Sequence, residues 1–309
     1  MRRRGLRDVL GPGAVVTFPL LLDDAAIFPP GNLPLADAVR AHLAHGVAPY
    51  ADLVGPLVVA LADLPALAEA TADLPAASIA LSVTVPAPAL VGDVVDRVRG
   101  IRAARLAALE VAVPEGVAAT DVVPVLDAAL TGVGRRNSRL DDEVSSSNRE
   151  FHRPAGETPT TVYVELPRDD RRDVLVAELA RTSYHAKLRT GGVRADLYPD
   201  EAELAAAVVA LVRAGVPFKA TAGLHHALRN TDPETGFEQH GFLNLLAATA
   251  AAGDGAGVEE VAAILAERDA RRLPDGPTTT LLGSIGTCSI TEPVDELTEL
   301  GLLPEVAVR

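Results

Sequence analysis

Short β-like runs alternate with helix-period segments along almost the whole chain, and this alternation limits the fold more than any other feature. The runs are AVVTFPLL (14–21), LVGPLVVAL (53–61), SIALSVTVP (78–86), LAALEVAVP (106–114), TTVYVELP (160–167), YHAKLRT (184–190), VPFKATAG (216–223) and TTTLLGSIG (278–286). Between them lie LADAVRAHLAHG (35–46), LVGDVVDRVRGI (90–101), ATDVVPVLDAALTGVG (119–134), RRDVLVAELARTS (171–183), DEAELAAAVVALVRAG (200–215) and GVEEVAAILAERDA (257–270), all of helical period. Strands that return through helices are parallel. Eight runs in 309 residues predict a single α/β domain over 1–309, a (β/α)8 TIM-type barrel, at a length typical of that fold. An open doubly wound parallel sheet is the alternative. Gly and Pro interrupt the first two runs, which makes them the least regular strands.

Composition narrows the partners. Aromatics make up 3% of the chain and Trp is absent, so Leu, Val and Ala must build the core. A net charge of −14 with no offsetting Lys/Arg cluster argues against nucleic acid. Cys288 is the single cysteine, so no internal disulfide forms and a reducing, cytoplasmic setting is expected. The start is basic and then apolar, but Pro19 breaks the apolar patch and Asp23–Asp24 end it without a small-residue cleavage site, which argues against a signal peptide. No run reaches the length of a membrane span. The expected partner is a small-molecule substrate, and the apolar helices can equally face a second copy in a homo-oligomer. The polar segment 134–159, rich in Ser and charge, reads as a loop insertion between helix and strand. That places it at the N-terminal face of a barrel, opposite the face where barrel active sites lie.

Two runs carry a lysine at their centre, where charge is rarely placed. Alternate residues of a barrel strand point inward, so Lys187 brings His185 and Arg189 with it, and Lys219 brings Thr221. The two lysines belong to consecutive strands, which lie about 4.8 Å apart. Glu110 and Glu165 are the acids on the preceding strands. One reading is a buried ion-pair layer in which each lysine neutralises a glutamate. The other is chemical. A free lysine, with a pKa of about 10.4, is protonated at neutral pH and cannot attack a carbonyl. A neighbouring cation and partial desolvation favour the neutral amine, which then forms a Schiff base that serves as an electron sink.

The strings K-L-R-T-G (187–191), K-A-T-A-G-L (219–224) and I-G-T-C-S (285–289) resemble those of the Schiff-base (class I) aldolases of the deoxyribose-phosphate aldolase type, as a remote branch. That family is built on a (β/α)8 barrel. The resemblance implies that Lys187 forms the Schiff base and Lys219 perturbs it. It departs at E-V-A (110–112), where Ala112 stands at the position of the family's acidic residue. Glu110, on the same strand face, and Glu165, on the next strand, are then the candidate proton carriers.

Histidines and glycines complete the expected site. His225 and His226 follow the seventh strand at the active face and suit acid–base work near neutral pH. His240 and Asn244 share a face if GFLNLLAATAAA is helical. Gly191, Gly192, Gly223 and Gly286 end strands six to eight and, with Thr190, Thr221 and Ser289, offer backbone sites for an anion such as a phosphate. Arg189 is a further anion contact. No metal-binding spacing such as HExxH is present, and neither metal nor cofactor is assigned. The leading expectation is a lyase or aldolase acting on a small, anionic carbonyl compound. The alternatives are a barrel hydrolase or isomerase, metal-dependent or acid–base, centred on His225, His226 and His240, and a non-catalytic ligand-binding barrel.

Overall fold

The computed structural model describes residues 21–137, 160–274 and 281–303, with side chains of 133–137 excepted. Eight parallel strands close into a barrel: β1 (Leu22–Asp24), β2 (Val54–Ala60), β3 (Ile79–Val85), β4 (Ala104–Val111), β5 (Thr161–Glu165), β6 (His185–Arg189), β7 (Phe218–Thr221) and β8 (Leu282–Thr287). Each pairs with its neighbour in sequence, and β1 also pairs with β8, Leu22 opposite Ile285 and Asp24 opposite Thr287. That last pairing removes the open-sheet alternative, because an open sheet leaves two strand edges unpaired.

The helices outside the barrel are α1 (Leu35–His45), α2 (Leu64–Ala70), α3 (Val91–Arg99), α4 (Ala119–Asn137), α5 (Arg171–Leu179), α6 (Glu201–Ala214), α7 (Phe242–Gly253), α8 (Val258–Leu265) and α9 (Thr291–Glu299). Of the described helices, none is long and apolar enough to cross a membrane. The apolar core is the layer between strands and helices. Val162, Val164, Leu188, Phe218 and Ala220 face outward from their strands into it, against such residues as Leu175, Leu204 and Val208. Helix α6 has clear ends: Asp200 accepts from the amide of Glu203 at 2.8 Å, and Gly215 stops the helix in the left-handed region at φ 68°.

The first strand differs from its expected place. It occupies Leu22–Asp24, and residues 14–20 of the expected run lie outside the described residues. The carboxylates that looked like the end of an apolar patch are the strand itself. Pro56, inside β2, has no N–H for the ladder. The register of β1 against β2 shifts by one residue there, from Leu22 opposite Val54 to Asp24 opposite Leu57, so that a bulge absorbs the proline. The expected insertion at 134–159 loses its first residues to α4, and the rest lies outside the described residues.

The connection from β7 to β8 holds more than one helix. A two-stranded antiparallel hairpin, Asn230–Thr231 with Glu238–Gln239, precedes α7 and α8. Its turn is closed by Asp232, whose Oδ1 accepts from the amides of Glu234 and Thr235, and by Gly236 at φ 70°. At its end Phe237 packs against Tyr198, ring centroids 5.6 Å apart and planes tilted by 56°.

Candidate active site

The barrel interior is polar where such barrels are ordinarily packed with branched apolar side chains. Lys187 stands directly opposite Lys219 in the β6–β7 register. Glu110, on β4, reaches both lysines. Its Oε1 accepts from Lys219 Nζ at 2.6 Å and its Oε2 pairs with Lys187 Nζ at 2.9 Å. Glu165 continues the chain, Oε2 lying 3.1 Å from Lys187 Nζ and Oε1 accepting from Arg189 Nε at 2.9 Å. At the other end Lys219 also donates to Asp23 of β1. Ser82 Oγ donates to Glu110 Oε1 at 2.7 Å, and Ser284 Oγ donates to Asp23 Oδ2 at 2.9 Å. Lys219 Nζ also lies 5.4 Å from the Tyr163 ring centroid, a cation–π contact. The contacts from β7 to β4 and from β7 to β1 skip over intervening strands, which only inward-pointing side chains can do.

Three acids (Asp23, Glu110, Glu165) thus alternate with three bases (Lys219, Lys187, Arg189) in one connected line. Burial penalises each charge, and the neighbours decide the outcome. Desolvation would drive Lys219 down, but Asp23 and Glu110 together outweigh it and hold the amine above its ordinary value. Desolvation would raise Glu110, and the two lysines pull its carboxyl well below the usual range. Glu165 goes the same way, lowered by Lys187 and Arg189 against its burial. Asp23 is the exception: burial pushes it up despite Lys219. A direct confrontation of two ammonium groups was expected, with one left neutral. The direct contact is corrected, because Glu110 bonds both amines; Lys219, the partner expected to tune Lys187, is held in its charged form.

Of the residues predicted from sequence, Lys187, Lys219, Glu110, Glu165 and Arg189 come together. The histidines do not join them. His225 Nδ1 is 3.4 Å from Cys288 Sγ and 3.8 Å from Glu292, and burial lowers its pKa while raising that of the thiol to about 11. His226 Nδ1 pairs with Glu296 of α9 at 2.5 Å. His240 is fully buried, with Nε2 donating to the Pro199 carbonyl at 2.8 Å. It precedes α7, so it shares no helical face with Asn244. Asn244 is structural: Oδ1 accepts from the Arg229 amide at 2.9 Å, and Nδ2 donates to the carbonyls of Ile264 and Glu267. No group of three or more His, Cys, Asp or Glu that could hold a metal occurs among the described residues, so the histidine-centred metal reading has no cluster to rest on.

The strand-end glycines have packing reasons. A Cβ on Gly191 would meet Tyr198 Cε1 at 2.7 Å and the Gly223 Cα at 3.0 Å. One on Gly223 would meet the same ring at 2.9 Å, and one on Gly192 would meet Leu197 at 2.5 Å. Gly286 makes room for Thr221, whose Oγ1 a Cβ would approach to 2.7 Å. Thr190 is a clasp between β6 and β7, with Oγ1 donating to the carbonyls of Ala222 and Thr221. Ser289 sits at the start of α9, where its Oγ accepts from the Glu292 amide at 3.3 Å. These contacts account for the residues without an anion.

Sequence reasoning missed Asp23, Ser82, Ser284 and Tyr163. The signal for Asp23 was present, in two carboxylates directly after an apolar run. Ser82 and Ser284 follow the inward alternation of their strands and were legible only once the barrel was assumed.

The fold and the site define an eight-stranded α/β barrel with a buried line of alternating charges across its interior. Compared with known proteins, the chain matches no family model, no curated protein and no solved structure.

Proposed function

We propose that the protein is a lyase of the aldolase type, which forms a Schiff base between Lys187 and a small carbonyl substrate. One observation carries this reading, a gradient of access along the charged line. Side-chain exposure rises from 0% at Lys219 to 5% at Lys187, 20% at Glu165 and 37% at Arg189. Lys187 is thus the amine of the pair that lies nearer solvent, and Lys219 is sealed behind it.

The electrostatics are compatible with that chemistry. An ammonium and a ketone combine to give a protonated imine and one water, with a single positive charge before and after. The carboxylates that balance Lys187 therefore balance its iminium equally well. Attack itself needs the free amine, and Glu165 is placed to accept the proton and return it as the carbinolamine loses water.

The test is reductive trapping. Full-length protein incubated with a panel of small aldehydes and ketones and cyanoborohydride is expected to gain mass at Lys187, and Lys187→Met is expected to abolish that gain. No adduct at Lys187 with any member of the panel overturns the proposal. The balance of three acids against three bases favours a second reading, a purely structural ion layer. Under that reading Lys187→Arg preserves stability and no carbonyl compound is trapped.

A further inference from the structure

We infer that the carbonyl compound carries a carboxylate on its carbonyl carbon or one carbon away, as in a short oxo acid, and that Arg189 receives it; the inference rests on the Schiff-base reading of Lys187. Arg189 commits only Nε to the network, to Glu165 at 2.9 Å. Among the described residues its two Nη nitrogens have no partner, and its side chain is 37% exposed. A guanidinium offers five donors in a planar fork matched to a carboxylate. Here the unused part of that fork belongs to the more exposed end of the charged line.

Its distance from the amine limits the substrate. Lys187 Nζ and Arg189 Nε are held on the two oxygens of the same carboxylate, at 3.1 and 2.9 Å. Nitrogen and guanidinium are therefore bridged by a single carboxylate, each within hydrogen-bond or ion-pair reach of it. A substrate carbon bonded to Nζ can place an acid group on Arg189 when that group is attached directly or one carbon away. A long or branched spacer overshoots.

The surroundings hold two further arginines, both engaged. Arg189 lines a small crevice together with Arg168 and Arg172. Those two share one acid, Glu203, which accepts from Arg168 Nε at 2.7 Å and Nη2 at 2.6 Å and from Arg172 Nη2 at 2.9 Å. Asp196 and Asp200 also act on Arg168, so Arg189 is the guanidinium of the three that keeps the most donors to spare. Glu165, which would repel an acid, is already engaged by Lys187 and Arg189.

The experiment compares pyruvate with methyl pyruvate, its uncharged ester, as trapping probes under cyanoborohydride, with adducts mapped by mass spectrometry. The readout is the ratio of Lys187 adduct formed by the two probes, measured in the natural protein, in Arg189→Lys and in Arg189→Met. A charge-assisted contact contributes about 1.5 kcal/mol or more, about a tenfold change. The natural protein is expected to favour pyruvate about tenfold more strongly than Arg189→Met does, with Arg189→Lys between them. Using a ratio cancels any general effect of the substitution on Lys187, and thermal melting confirms that each variant is folded. Equal ratios in natural protein and Arg189→Met overturn the inference and leave the Schiff base standing. Adducts at Lys187 with neither probe, but with an uncharged aldehyde, overturn it as well. No adduct with any carbonyl compound removes both.

Discussion

Glu110 binds the two central lysines through different oxygens, Oε1 to Lys219 at 2.6 Å and Oε2 to Lys187 at 2.9 Å. A glutamine at this position keeps the shape but presents an amide donor to an ammonium. Removing one partner of a buried ion pair typically costs about 3–5 kcal/mol. Glu110→Gln is expected to lower stability by that order in urea unfolding. A loss below about 1 kcal/mol would mean the lysines are held by other groups.

Acid should destabilise the protein in two stages. His45, His185, His225 and His240 all have folded pKa values lowered, chiefly by burial. Their contribution is present above the unfolded value of about 6.5 and is lost as pH falls from there through the lower folded values. Glu110 and Glu165, also lowered, add a second loss below about pH 4.3, which the raised Asp23 offsets in part. The urea midpoint is expected to drop between pH 7.5 and pH 5.5, and less so in His240→Gln. A midpoint that stays flat across that interval contradicts the burial of these rings.

At the alkaline end the sign reverses. Lys219 has its folded pKa raised, so its contribution is complete below about 10.4 and declines as pH climbs above that value. Stability measured between pH 9 and pH 11 is expected to fall, and the Lys219 Nζ resonance in an NMR titration should still report an ammonium when surface lysines have titrated. Simultaneous titration with the surface lysines would refute the pairing.

Asn244 joins three segments through the Arg229 amide and the carbonyls of Ile264 and Glu267. Asn244→Ala strands those buried groups, at about 1–3 kcal/mol each before relaxation. Asn244→Asp should be worse than alanine, because a carboxylate would face two carbonyl oxygens. Calorimetric melting of both variants checks the order, and a reversed order would show that Nδ2 is not the donor.

Gly191 and Gly223 leave room for the Tyr198 ring. Gly191→Ala is expected to cost about 1–3 kcal/mol through overpacking, with part of the loss recovered when Tyr198→Leu is added. Independent, additive effects of the two substitutions in thermal melts would show that the ring is not the obstacle.

The barrel was legible because its signal is periodic and repeated: each strand from β2 to β8 falls within its expected run or one to two residues beyond it. The site was legible in part. Lys187 and Lys219 stand out because charge inside an apolar run is costly, and Glu110 and Glu165 because they are the acids on the fourth and fifth strands. Asp23 was misread because a carboxylate at the end of an apolar run looks like a boundary unless its counter-ion is known. That counter-ion, Lys219, lies 196 residues away. For His240 and Asn244 the four-residue spacing suggests a shared face, but the helix begins two residues after the histidine. Helix α2 went unread because its seven residues span only about two turns, too few to display a period.

The charged line takes members from β1, β4, β5, β6 and β7, so no contiguous fragment of the chain can satisfy it. A partly assembled barrel would expose or strand ions that only the finished ring compensates. Assembly should therefore be slow and all-or-none, as contacts between distant parts of a chain dictate, and a half-barrel made alone should remain unfolded.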